Sequence, residues 1–171
     1  MKHLLFVIFL TVSIISGFAQ GKVIFRDLEK NPMPDTLKFI HDISEAGLPT
    51  SYEIEGYISN VSNEAVSIHI KRVIEKYMAN CEEQICWGGS CTNPQYFRNL
   101  VFETNSSNLP ANFDVLMADT GVFHFSHNSI IGTTQLKYYL MNGDNIEDSL
   151  VVDYTLTGPK VTLTFNLNMN G

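Results

Sequence analysis

Apolar residues recur at every second position through most of this chain, the period of a half-buried strand and not of a helix. The clearest case begins at Ala65, where Val66, Ile68 and Ile70 alternate with Ser67, His69 and Lys71. That pattern predicts a central strand with one face on a core and the other in water. The alternation slips at Lys71-Arg72, because Val73 falls out of phase. A β-bulge accounts for the slip, and so does a turn into a short helical segment over residues 71–78.

The same period marks the other elements. Lys22 to Arg26 forms a short first strand, and the two prolines of Asn31 to Asp35 end it. Thr36 to Ile43 alternates Leu37, Phe39 and His41 with Lys38, Ile40 and Asp42. Ser51 to Ser59 sets Tyr52, Ile54 and Ile58 on one face, with Glu53, Glu55 and Tyr57 on the other. Phe97 to Thr104 is expected to be a strand facing Leu100 and Phe102 inward, followed by a polar loop from Asn105 to Pro110. Phe113 to Met117 and Gly121 to Phe125 are two further short strands. Thr133 to Met141 directs Leu136, Tyr138 and Leu140 inward, and Asn142-Gly143 is a favoured dipeptide for a two-residue hairpin turn. Ser149 to Leu156 returns as its partner, and Val161 to Met169 alternates without a fault. About seven to nine short strands separated by turn signals predict an all-β fold, an antiparallel immunoglobulin-like β-sandwich.

The first residues read differently. A basic start, Met1-Lys2-His3, precedes a near-continuous apolar run from Leu4 to Phe18, and Gly17-Phe18-Ala19 offers a small-x-small cut site. Residues 1–19 are therefore expected to be a secretory signal peptide cleaved before Gln20. The run is too short for a stable membrane anchor, and no cysteine follows it to carry a lipid. Residues 20–171 then form a single domain, secreted or periplasmic, and expected to be a monomer. The net charge of −7 opposes binding to nucleic acid or to an anionic membrane.

From Ile58 to Leu156 the order of features resembles secreted Ig-like sandwich domains found with type 9 secretion proteins of Bacteroidota-like bacteria. The matching elements are the Ile58-to-Arg72 strand stretch, the Cys/Trp loop Ile85-Cys86-Trp87-Gly88-Gly89-Ser90-Cys91, the Thr120-Gly121-Val122-Phe123 stretch and the hairpin from Tyr138 to Ser149. The chain departs from that pattern in lacking a strand tryptophan near Lys71, in placing Trp87 after the first cysteine, and in carrying an additional Cys81. The resemblance implies the sandwich fold and a cell-envelope setting, and it brings no catalytic residues. Asp35-Thr36-Leu37 and Asp148-Ser149-Leu150 look like short O-glycosylation sequences of such bacteria, and they also read as ordinary turn residues.

The cysteines are the sharpest chemistry. Cys81, Cys86 and Cys91 stand five apart, and an oxidising compartment favours a disulfide between two of them. Cys86 with Cys91 is the expected pair, because Gly88 and Gly89 permit a tight turn; closing that ring contributes about 2 kcal/mol in the chain-entropy model. Cys81 is left buried or reactive. A zinc site would want different spacing and a fourth ligand, so no metal and no cofactor is expected. His124 and His127 stand three apart, on opposite faces of a strand. Asp144, Glu147 and Asp148 surround the hairpin turn without the calcium-loop pattern.

No sequence pattern for nucleophilic catalysis, phosphate binding or metal-dependent hydrolysis is present, so the chain is expected not to be an enzyme. Trp87, Tyr96 and Phe97 form a candidate interaction loop, with the Cys86–Cys91 ring holding Trp87 near the surface. The function expected is an accessory or protein-interaction module of the envelope or exterior. A carbohydrate-binding module using the Trp87 loop, and a thiol-redox or metal-handling protein built on the three cysteines, are the alternatives. The partner is then an envelope protein or a glycan.

Overall fold

The computed structural model describes residues 21–44, 51–78, 81–88, 90–91, 95–96, 100–117, 124–126 and 131–158. Residues 1–19, the last predicted strand and Phe97 lie outside these. The described residues form fifteen strands and no helix. In chain order they are β1 (Val23–Arg26), β2 (Thr36–Asp42), β3 (Ser51–Glu53), β4 (Tyr57–Asn60), β5 (Val66–Lys76), β6 (Glu82–Gln84), β7 (Cys86–Trp87), β8 (Ser90–Cys91), β9 (Gln95–Tyr96), β10 (Val101–Glu103), β11 (Ser107–Leu109), β12 (Phe113–Leu116), β13 (His124–Ser126), β14 (Gly132–Asn142) and β15 (Asn145–Thr157).

The largest sheet runs β10-β5-β14-β15-β2, with β11 also paired to β5. Two smaller sheets, β1-β4-β12 and β3-β13-β6-β9, and a two-stranded β7-β8 ribbon complete the architecture. The inner face of the large sheet presents Ile68 and Ile70 from β5, Leu136 and Leu140 from β14, and Leu150 and Val152 from β15. These pack in one core with Val23, Phe25 and Ile58 of the first small sheet and with Tyr52, Ile54 and Ile85 of the second. The all-β sandwich is thus the observed fold, with more strands than the alternation suggests. Its pairing is mixed rather than wholly antiparallel, because β2 runs parallel to β15 from Val151 opposite Thr36 to Thr157 opposite Asp42.

Four local expectations are corrected. The segment from Ser51 to Ser59 is two strands in two different sheets, because the chain changes layer at Gly56. Gly56 has φ of 147°, and a Cβ there would sit 2.2 Å from the Arg26 carbonyl oxygen, so only glycine fits the crossing. The segment from Asn105 to Pro110 contains β11, whose Leu109 is buried. Leu100 precedes β10 and is 64% exposed instead of facing inward. The hairpin turn falls one residue later than Asn142-Gly143: Asn142 pairs with Asn145, leaving Gly143 and Asp144 in the loop. Of these two only Gly143 takes positive φ, at 57°, which places glycine first in the turn.

The slip at Lys71-Arg72 has a different origin from either expected cause. Strand β5 continues without a break, and its inner face reads Val66, Ile68, Ile70, Arg72, Ile74. Arg72 simply occupies a core position. The register shift of β5 against β14 comes later, where Gln135 faces Lys76 but Leu136 faces Ile74. Arg72 Nε lies 2.6 Å from Glu83 Oε2, and both side chains are more than nine-tenths buried. The Tyr138 hydroxyl donates to Glu83 Oε1 at 2.5 Å. Glu83 belongs to β6, Arg72 to β5 and Tyr138 to β14, so this triad joins the two layers through the core. Burial drives the Glu83 carboxyl above its ordinary pKa, against the opposing pull of Arg72 and the hydrogen bond from Tyr138. Burial also pushes the Tyr138 hydroxyl well above its usual value, helped by Glu83.

Removing one partner of a buried ion pair leaves the other uncompensated. Arg72→Met should therefore cost about 3–5 kcal/mol in urea unfolding at neutral pH. Adding Glu83→Gln, which keeps an acceptor for Tyr138, should recover a large part of that loss. Simple additivity of the two changes would show that the groups are not coupled.

The raised carboxyl also fixes a sign for pH. A folded state that holds the Glu83 proton more tightly than the unfolded chain is favoured most below the ordinary glutamate pKa. That contribution is lost as pH climbs through the raised folded value. The unfolding free energy of the wild type, taken relative to Glu83→Gln, should fall between about pH 4 and neutrality. A difference that grows over that range would mean that Arg72 lowers the carboxyl pKa overall.

Candidate functional site

The expected interaction loop is built on β7 and β8, which pair Cys86 with Cys91 and Trp87 with Ser90. Cys86 and Cys91 are joined by the disulfide expected from the two glycines between them. Gly88, at φ of 61°, makes the turn between these strands, and a Cβ on it would lie 3.1 Å from the Ser107 side chain. The ribbon is therefore seated closely on β11.

Trp87 does not project from this ring. It is 4% exposed, and its indole N–H donates to the Ile68 carbonyl at 2.9 Å. The reason lies in how β5 is covered along that side. Strand β10 pairs with β5 over Lys71–Val73, and β11 pairs with it over Val66–Ile68. Between them, Thr104 bridges to Ile70: its N–H donates to the Ile70 carbonyl at 3.0 Å, and its hydroxyl accepts the Ile70 N–H at 2.9 Å. The indole takes a neighbouring carbonyl, so the amphipathic ring is held by its apolar body and its polar edge together. The disulfide fixes Trp87 as a wall and not as an exposed anchor.

That wall still faces a cavity. Ile85, Trp87 and Cys91 on one side, with Phe102 to Asn105 on the other, enclose a groove of about 250 Å³. The Arg72 guanidinium lies over the Phe102 ring, 5.9 Å from its centre, which ties the groove to the buried triad. Immediately before Phe102 in the chain, and not among the groove's lining residues, Leu100 is 64% and Val101 49% exposed. The alternation places Leu100 in the core and does not single out Val101. Their signal was an apolar pair at the start of a short strand, which reads equally as core.

The remaining candidates fall elsewhere. Tyr96 lies in β9, paired opposite Glu82, and Phe97 is outside the described residues. Cys81 is 2% exposed, and burial raises its thiol pKa, partly offset by Thr134. Two of the three sulfurs are thus consumed in a disulfide and the third is enclosed, which disfavours a redox role. His124 lies in β13, and His127 is outside the described residues. Glu147 and Asp148 do more than solvate a hairpin. Glu147 accepts the Lys22 N–H at 2.6 Å and Asp148 accepts the Phe25 N–H at 2.8 Å, so the pair occupies donors just before and within β1. Asp148 is held above its ordinary pKa by burial, against hydrogen bonds from Phe25 and Ser149. The two sequences of the Asp-Ser/Thr-Leu type are neighbours in space, since Val151 N–H donates to the Asp35 carbonyl at 2.9 Å.

No family model matches this chain, and no curated protein does. Among solved structures it is similar to the N-terminal domain of PorA, over 78% of this chain and 96% of that one, with 10% identity and a TM-score of 0.48. At that similarity the functional reading rests on the chain's own residues.

A buried indole that donates a hydrogen bond should behave as core. Trp87→Ala should lower stability by about 3–5 kcal/mol, read by thermal or urea unfolding of the oxidised protein. A loss below about 1 kcal/mol, the range of surface substitutions, would return Trp87 to the list of exposed anchors.

Proposed function

We propose that the protein is an exported, non-enzymatic interaction module of the cell envelope or exterior, and that it docks a protein partner along its β10 side. The observation that carries this is the exposed apolar pair Leu100 and Val101 at the start of β10, next in the chain to Phe102 of the groove. Exposed apolar side chains grouped on an edge strand favour a partner. Strand β10 ends its sheet among the described residues, so it can also offer main-chain groups to an added strand. The groove wall is preorganised by the disulfide and by the indole hydrogen bond, which reduces the ordering cost of binding. The disulfide is compatible with an extracellular or envelope setting. A glycan is the less favoured ligand, because the Trp87 ring that would stack on a sugar is buried.

The test uses the purified oxidised protein to capture partners from an extract of its native envelope, beside an otherwise identical Val101→Glu protein. A specific protein retained by the wild type should be lost from the variant, while the melting temperature changes little. Equal capture by both proteins would remove β10 from the docking surface. A reproducible glycan-array signal that survives Val101→Glu would instead favour sugar recognition.

A further inference from the structure

A second groove, at the opposite end of the large sheet, has a chemistry of its own. It encloses about 410 Å³ between β2 and the segment that follows β3. Leu37 and Phe39 of β2 form one wall, and Met33 and Ile54 contribute further apolar surface. Phe39 is stacked on Tyr154, with ring centres 5.0 Å apart and planes at 11°, so that wall is rigid. The other wall carries Glu53 and Glu55, both exposed, and Asp27 completes an acidic rim. No base lines this groove, and among the described residues Glu53 and Glu55 make no ion pair.

We infer that this groove binds an extended peptide segment of a partner protein, one that alternates apolar residues with lysine or arginine. It goes beyond the β10 surface and stands without it. Three features select this occupant. Leu37 and Phe39 are two residues apart in β2, so that wall repeats at about 6.6 Å, the advance of two residues in a strand, while Glu53 ends β3 and Glu55 follows it. Strand β2 is the last of its sheet among the described residues, and over Thr36–Ile40, among those residues, its parallel ladder to β15 uses only one side. An incoming strand would therefore find main-chain partners as well as side-chain walls. The carboxylates then select for positive charge on a chain whose apolar residues enter the groove, and long basic side chains can reach the rim while their stems lie on apolar surface.

The experiment measures fluorescence anisotropy with a labelled eight-residue peptide alternating valine and lysine, and with its counterpart carrying glutamate for lysine. The lysine peptide should bind the full protein, more weakly as salt rises, and the glutamate peptide at least tenfold less tightly. Glu53→Gln with Glu55→Gln, two exposed changes that should leave the melting temperature in place, should weaken the lysine peptide at least tenfold and flatten its salt dependence. Val101→Glu should leave this binding unchanged, which separates its outcome from that of the β10 surface. Equal binding of both peptides, or full binding by the double variant, would overturn the inference. So would a synthetic peptide of residues 159–171 that binds as tightly and competes, because the groove would then belong to the chain's own end.

Discussion

The fold depends on one charged contact placed where an aliphatic side chain would be expected. Arg72 enters the core from β5, meets Glu83 from β6, and Glu83 in turn accepts a hydrogen bond from Tyr138 on β14. Desolvating such groups is costly unless each finds its partner, so the contact tolerates little sliding of one layer over the other. Apolar packing alone would permit several registers of nearly equal energy. A pair of buried charges penalises every register but one, and the short strand carrying Glu83 is thereby located against the long ones. The same arginine reaches the Phe102 ring, so the position of the β10 groove follows from the position of the core charge.

Much of this was legible in the chain itself, for a physical reason. Where a strand has one wet face and one dry face, period two survives in the sequence. Strands β5, β14 and β15 therefore lie close to where alternation places them. What escaped was information that no local pattern carries. Arg72 looked like a defect in the alternation, because its partner Glu83 is an ordinary acid eleven residues away in a segment without periodicity. The split at Gly56 escaped because both halves of that segment keep the same alternation while belonging to different sheets. Trp87 was misplaced because a tight disulfide ring suggests exposure, whereas the seat of the ribbon on β11 is a tertiary fact.

The two grooves sit at opposite ends of one sheet and differ in character. One lies beside a strand with exposed aliphatic side chains, the other is rimmed by carboxylates that make no ion pair among the described residues. Strand β1 shows the contrary arrangement: the amides of Phe25 within it and of Lys22 just before it are already taken by the carboxylates of Asp148 and Glu147, so a further strand would have to displace them. The molecule thus blocks one edge with its own side chains and leaves two others with recognisable and unlike chemistry.

The spacing of the cysteines has a consequence for how the oxidised chain comes to be. Cys81 stands as far before Cys86 as Cys91 stands after it. Ring closure in the unfolded chain therefore costs the same for either bond, and loop entropy has no preference between them. The choice has to be made by structure: β7 and β8 bring Cys86 opposite Cys91, while the core encloses Cys81 beside Thr134. Correct oxidation is then a result of folding rather than a precondition for it. A thiol sealed away early is also one that can no longer attack the finished bond and reshuffle it.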